Sequence, residues 1–405
     1  HLLYNNTLFE DMGFIYYGPF DGHNLPQLLE VLENAKHIEH PILLHVITAK
    51  GKGYSFAEEN PGVFHGISKF DVHTGKKLSS GEDFSSQFGQ YLCEIAANDR
   101  SVCAITAAMQ MGTGLTEFGK RFPDRFFDTG IAEEHAVTFA GGIAAGGMRP
   151  VCAIYSTFLQ RGYDQIIHDA ALQNLKVTFA IDRAGVVGED GETHQGIFDA
   201  AFLNTVPNCT VFSPAYYDEL RETLHTALYD CDGVTAVRYP RGGQLFRPYD
   251  YRPNGKAFCF YGEGQADTVL VTYGRLFSFA CEALSRWKAE GISVRIIKLN
   301  RIKPIPPEAV EAAKGAKRVF FFEEGVMLFM RITPVSTVQP SIEALFGNPN
   351  LASHPDAAEV ILPNQRISRR AADAQNILNL QDGIGAFLTG NIHLSRLQGS
   401  RHMIH

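Results

Sequence analysis

No apolar run in this 405-residue chain approaches the roughly 20 residues that a membrane-crossing helix needs, so no membrane-spanning segment is expected. No basic-then-apolar leader of the secretory type opens it. The 7 cysteines stand singly, at Cys93, Cys103, Cys152, Cys209, Cys231, Cys259 and Cys281. None shares C-x-x-C or metal-ligand spacing with another, which points to reduced thiols in a cytoplasmic protein. H-E-x-x-H is missing as well, so no transition-metal site is expected. Basic charge is not in excess: Lys and Arg number 36 against 44 Asp and Glu, a formal net charge of -8. That balance argues against nucleic acid or an anionic membrane as a partner, yet leaves room for a local basic pocket that takes a small phosphate. Repeats of solenoid period and low-complexity tracts are also lacking.

What is present is a globular composition, with 45% hydrophobic and 20% charged residues. The length suits two or three domains. Short apolar segments read as buried strands at 41–48, 101–105, 149–154, 177–181 and 210–212, and again at 268–273, 293–297 and 318–322. Helical patterns separate them, which implies an α/β protein with parallel sheets and sites outside the carboxyl ends of strands. A polar stretch at 74–82 and a Pro-, Arg-, Tyr- and Gly-rich stretch at 239–255 are candidate boundaries. They divide the chain into 1–78, 79–245 and 246–405. The chain opens on His1 rather than Met and reads there as mid-domain sequence, so it is expected to be part of a longer polypeptide.

Five segments carry residues suited to chemistry. Asp128-Thr129-Gly130-Ile131-Ala132-Glu133-Glu134-His135-Ala136-Val137 places Glu133 in the first turn of a helix whose next residues are almost all Gly and Ala. Small residues admit another backbone or a flat ligand, and a carboxylate at such a seam is a candidate proton handler. The helix dipole alone also explains an acid there, and on local residues that reading is favoured. The loop 182–196 follows a strand and gathers Arg183, Asp190 and His194 among glycines, without the Gly-Lys-Ser/Thr of a P-loop. Arg238-Tyr239-Pro240-Arg241-Gly242 offers guanidiniums that suit a phosphate, or a solvated turn. After the 149–154 strand, Phe158 could belong to the core or stack on a planar ring. Lys50-Gly51-Lys52-Gly53-Tyr54, with Phe64-His65 close behind, suits an anion, although a turn with solvated lysines explains it too.

Taken together these segments resemble the 1-deoxy-D-xylulose-5-phosphate synthase family of transketolase-like thiamine-diphosphate enzymes. Gly18-Pro19-Phe20-Asp21-Gly22-His23, Phe122-Pro123-Asp124-Arg125-Phe126-Phe127-Asp128, the Glu133 segment, 154–163, 182–196 and Arg238 to Gly242 carry the resemblance, which runs from about residue 8 to about 326. Phe320-Phe321-Phe322-Glu323-Glu324-Gly325-Val326 extends it into a last domain. The implied fold is a pyrimidine-binding α/β domain and a carboxyl-terminal α/β domain, preceded by the end of a diphosphate-binding domain. The implied reaction joins pyruvate to D-glyceraldehyde 3-phosphate with loss of CO2, a step toward isoprenoids, thiamine and pyridoxal.

By the same resemblance, Glu133 would hydrogen-bond the cofactor's aminopyrimidine and Phe158 would pack on it. Tyr54 and His65 match cofactor-side and active-site positions, and His194 a proton carrier. Tyr155, Arg161, Arg183, Asp190 and Arg241 match the groups around the aldehyde substrate and its phosphate. A homodimer is implied, with no nucleic-acid or membrane partner.

The chain departs from the family in two places. The Gly-Asp-Gly segment and later Asn that hold Mg2+ and the diphosphate are not found, so these ligands are expected before His1 and the chain alone is expected to be inactive. From Ile332 onward the sequence no longer aligns, and stretches such as Gln365-Arg366-Ile367-Ser368-Arg369-Arg370 show no strand-helix order. Two rival readings remain: another transketolase-like subunit, and a non-catalytic pairing fragment.

Overall fold

A computed structural model describes residues 7–66, 69–76, 78 and 81–325. The expectations for the tail after Val326 lie outside the described residues. The chain divides into two compact units, His1–Gly81 and Glu82–His405.

In the first unit, β1 (Ile15–Asp21) and β2 (Ile42–Ile47) pair in parallel. The helix Leu25–Ala35 connects them, as a parallel crossover requires. Its start is set by Asn24, whose side chain accepts the Gln27 N–H, and by Pro26 in the first turn.

The second unit holds two sheets among the described residues. The larger has seven strands in the order β12-β7-β8-β6-β5-β3-β4. They are β3 (Val102–Thr106), β4 (Phe126–Asp128), β5 (Arg149–Tyr155), β6 (Thr178–Asp182), β7 (Cys209–Phe212), β8 (Val234–Arg238) and β12 (Arg301–Lys303). The smaller contains β9 (Phe258–Gly262), β10 (Thr268–Tyr273), β11 (Val294–Leu299) and β13 (Arg318–Phe322), in the order β13-β10-β11-β9. All the strands expected from apolar runs are present.

The expected parallel pairing holds within each sheet except at one edge. There β12 runs antiparallel to β7, and β9 antiparallel to β11. An antiparallel edge needs no crossover helix, so the chain can leave β11 and enter the larger sheet directly as β12. The last segment thereby completes the larger sheet.

Both faces of the larger sheet are covered, which is why its central strands read as continuous apolar runs. Every residue of β3, β6 and β8 is buried. Along β5, Val151 and Ala153 enter one apolar cluster while Cys152 and Ile154 enter the other, the period-two alternation of a strand. The second cluster extends to Val271, Tyr273, Ile297 and Leu299, so it also seals the smaller sheet against the larger.

Strand β3 lies between β4 and β5, so the chain reverses its direction of travel across the sheet there. Loops leaving carboxyl ends around such a switch form the usual crevice of α/β sheets. The carboxyl ends of β4, β5, β6 and β8, with the segments that follow them, carry Glu133, Tyr155 with Phe158, the 183–196 loop, and Arg241 respectively.

Candidate active site at the carboxyl ends of the larger sheet

Glu133 is the first residue of the helix Glu133–Ala145 and is 2% exposed. It is not a solvated helix-start acid. Its Oε1 accepts a hydrogen bond from Arg161 Nη1 at 2.5 Å, and Arg161 itself is half-exposed. The small-residue face behind it works as a close-packing seam. A Cβ on Gly141 would stand 3.1 Å from the Asp169 carbonyl oxygen, and one on Gly162 would strike Val137. Glycine at both positions lets the 160–171 segment lie against the helix. Thr138 Oγ1 fastens that contact by donating to Asp169 Oδ2.

From Glu133 a continuous string of contacts runs across the site. The Arg161 guanidinium stands 5.0 Å from the Phe158 ring centroid. Phe158 meets His194 edge-on at 5.2 Å and stacks with Tyr155 at 5.9 Å. Arg183 lies 3.8 Å over the Tyr155 ring and pairs with Asp190 at 3.4 Å. Asp190 Oδ1 in turn meets Arg241 Nη1 at 2.7 Å. The eight expected residues of this unit thus converge on one place.

Two residues missed by sequence reasoning hold the Arg183 end together. Asp182, the last residue of β6, is fully buried and pairs with Arg183 Nη1 at 2.9 Å. Burial pushes its carboxyl up to about 6, against the opposing pull of the Arg183 guanidinium. Gly112 is the other. Its carbonyl oxygen accepts from Arg183 at 2.8 Å, and a Cβ there would overlap the Tyr155 hydroxyl. Burial also pushes the Tyr155 phenol up to about 12, so it remains protonated and can donate.

The 183–196 loop is fixed at its base. Gly185 and Gly196 exchange both backbone hydrogen bonds, at 2.7 and 2.8 Å. Gln195 is buried, takes the Val187 N–H and donates to the carbonyls of Val187 and Gly191. A Cβ on Gly196 would sit 2.0 Å from the Arg183 carbonyl oxygen, so only glycine allows this closure. His194 Nδ1 shares a hydrogen bond with Thr193 Oγ1 at 2.8 Å. Ser156 Oγ is buried without a hydrogen-bond partner.

Tyr54 and His65 belong to the first unit. Tyr54 sits among Phe56, Phe64 and Phe70, and its hydroxyl donates to the Val72 carbonyl at 2.8 Å. His65 Nδ1 lies against Lys50 Nζ. Among the described residues no group of three or more His, Cys, Asp or Glu could hold a metal ion. No helix among them is long and apolar enough to cross a membrane. All seven cysteines are free thiols.

Comparison with known proteins agrees with this architecture. Residues 82–244 match the family described as transketolase, pyrimidine binding domain. Residues 1–48 match 1-deoxy-D-xylulose-5-phosphate synthase, and 262–329 match transketolase, C-terminal domain. A 1-deoxy-D-xylulose-5-phosphate synthase of Carboxydothermus hydrogenoformans is 48% identical over 332 residues, covering 81% of this chain and 53% of that protein. One from Symbiobacterium thermophilum is 50% identical over 332 residues, covering 81% of this chain and 51% of that protein. The chain therefore spans about half the length of these relatives.

Among solved structures, a split gene transketolase described as an inactive beta4 tetramer is similar, with a TM-score of 0.53 and 29% identity over 61% of this chain and 81% of that one. A transketolase of Campylobacter jejuni shares the fold, with a TM-score of 0.52 and 17% identity over 80% of this chain and 65% of that one. The chain belongs to the 1-deoxy-D-xylulose-5-phosphate synthase family of transketolase-like proteins.

Proposed function

We propose that this chain supplies the aminopyrimidine and substrate side of a thiamine-diphosphate-dependent transferase that condenses pyruvate with D-glyceraldehyde 3-phosphate, releasing CO2 and forming 1-deoxy-D-xylulose 5-phosphate. The observation that carries the reading is the string from Glu133 to Arg241. A buried carboxylate lies at one end, paired guanidiniums lie at the other, and aromatic rings stand between them.

The residues present fit the cofactor's flat heteroaromatic ring. Glu133 offers a buried acceptor, and the Arg161 that binds it stands over the Phe158 ring. When bound, thiamine diphosphate supplies the electron sink for decarboxylation. Glu133 would hold a proton at the ring nitrogen, Phe158 would pack on the ring, and Arg161 would keep the carboxylate aligned. Arg183 and Arg241 bind the phosphate of the aldehyde, with Asp190 setting their spacing. Tyr155 donates to a substrate oxygen, and His194, against Phe158, carries a proton. We place Mg2+ and the diphosphate in the diphosphate-binding domain implied by the longer relatives. By the family resemblance we assign Tyr54 a cofactor-side role and His65 an active-site role. A homodimer in the cytoplasm fits the free thiols and the family.

A second reading has one observation in its favour. The chain covers 81% of a split gene transketolase, which makes it comparable in extent to one subunit of a two-chain enzyme. The chain should therefore be assayed with a separately supplied diphosphate-binding domain. One arm offers pyruvate and D-glyceraldehyde 3-phosphate, and the other offers ketose and aldose phosphates. CO2 release and product only in the first arm is the expected outcome. Turnover only of ketose phosphates would overturn the assignment.

A further inference from the structure

We propose that Arg275 and Glu324, on the smaller sheet, are positioning residues for the loop that carries Arg183, Asp190 and His194. Arg275 follows β10 and starts the helix Leu276–Ala289, while Glu324 lies just past the end of β13. Since β10 and β13 are paired in parallel, the two side chains emerge together at the carboxyl ends of neighbouring strands. Arg275 Nε donates to Glu324 Oε2 at 2.9 Å and to Oε1 at 3.0 Å.

The pair does not merely satisfy itself. Glu324 Oε1 accepts the Val186 N–H at 2.9 Å, and Arg275 Nη2 donates to the Val186 carbonyl at 2.6 Å. Both polar groups of one loop residue are thus held by a forked ion pair from the other sheet. Arg275 is 9% exposed, and the Glu324 side chain is 13% exposed. The bonds are therefore shielded from water and hold their geometry better than surface pairs do.

Glycine at 185 is part of the device. Its φ is +88°, and a Cβ would lie 2.5 Å from the Glu324 carboxylate. A second tie, between Gly185 and Gly196, fastens the loop to itself. The stretch from Arg183 through His194 is therefore anchored at Val186 to the smaller sheet. Its effect on substrate would pass through the placement of Arg183 and Asp190.

This inference rests on the substrate assignment above, and the test separates the two. Two variants are needed. Arg275→Met with Glu324→Met removes the pair without leaving a buried charge. Arg275→Lys keeps the charge but loses the fork that reaches both Glu324 and Val186. Hydrogen–deuterium exchange on the 405-residue chain should rise about tenfold within 184–196 for the double variant, less for the lysine variant, and not at all in β5 and β6. In the assembled enzyme, the KM for D-glyceraldehyde 3-phosphate should rise about tenfold, with the KM for pyruvate unchanged. Unchanged protection of 184–196, equal loss of protection in β5 and β6, a lysine variant indistinguishable from the parent, or an unmoved aldehyde KM would each overturn the proposal. Local exchange in the variants, together with a parent enzyme that does not turn over these substrates, would uphold the anchor and sink the substrate assignment instead.

Discussion

Replacing Glu133 by glutamine, in an enzyme that joins this chain to a diphosphate-binding domain, should lower turnover about 10² to 10⁴-fold, the usual range for losing a positioned proton-transfer group. The fold should survive. Glutamine has the same shape, and its carbonyl oxygen can still accept from Arg161, which is half-exposed and easily solvated. Cofactor affinity should also fall by about tenfold or more, since a hydrogen bond to a charged group is lost. The control is Glu134→Gln. Glu134 occupies the same first helical turn but is exposed. If Glu133 served only the helix dipole, both variants would behave alike. Steady-state turnover and a cofactor titration on the two variants decide the matter, and equal, near-normal turnover would remove Glu133 from the mechanism.

The largest stability effect should come from Glu219, far from that chemistry. Glu219 lies on the helix Tyr217–Tyr229 of the larger sheet's layer, and Lys298 lies on β11 of the smaller sheet. They meet at 2.7 Å with side chains 3% and 0% exposed. Glu219 also accepts from the Tyr251 hydroxyl at 2.5 Å and from the Ala215 N–H at 2.8 Å. Glu219→Ala leaves the Lys298 ammonium buried without its carboxylate and should cost about 3–5 kcal/mol. Glu219→Met with Lys298→Met removes both charges and should recover most of that loss. The chain's 1 tryptophan reports the event, because Trp287 is buried in the apolar cluster that includes Tyr216, Tyr251 and Phe277. Urea unfolding followed by its fluorescence gives the three stabilities. A single variant as stable as the parent would show that water reaches Lys298.

The strands that carry the core were legible because both of their faces are covered. β10 and β13 run over the same residues in sequence and structure, 268–273 and 318–322. The elements missed are those whose burial is partial or whose length is minimal. β9 alternates between half-buried and exposed residues, and β12 has only three residues. β8 is fully buried, but it runs directly into the Arg- and Pro-rich turn, which drew attention as a boundary.

In the site, Glu133, Phe158 and the 182–196 loop were legible because each follows a strand end and carries chemistry in its own sequence. Taken singly, Glu133 was better explained as a cap and Phe158 as a core ring, while the loop's own residues left both readings open. Their order along the chain supplied what the local patterns lacked. Asp182 was hidden because it looks like the polar start of a loop, although the strand in fact buries it. Arg275 and Glu324 had no local signal at all. Their role arises where two sheets meet, and no window of sequence spans the 49 positions between them.

The central claim is that Glu133 and Phe158 receive the aminopyrimidine. A crystal structure of this chain assembled with a diphosphate-binding domain, Mg2+ and thiamine diphosphate tests it most directly. The expected result places a Glu133 carboxylate oxygen about 2.7 Å from a ring nitrogen, with the Phe158 ring against the pyrimidine face. An aminopyrimidine seated elsewhere, with Glu133 still bound by Arg161 and no ring nitrogen within hydrogen-bond reach, would contradict it.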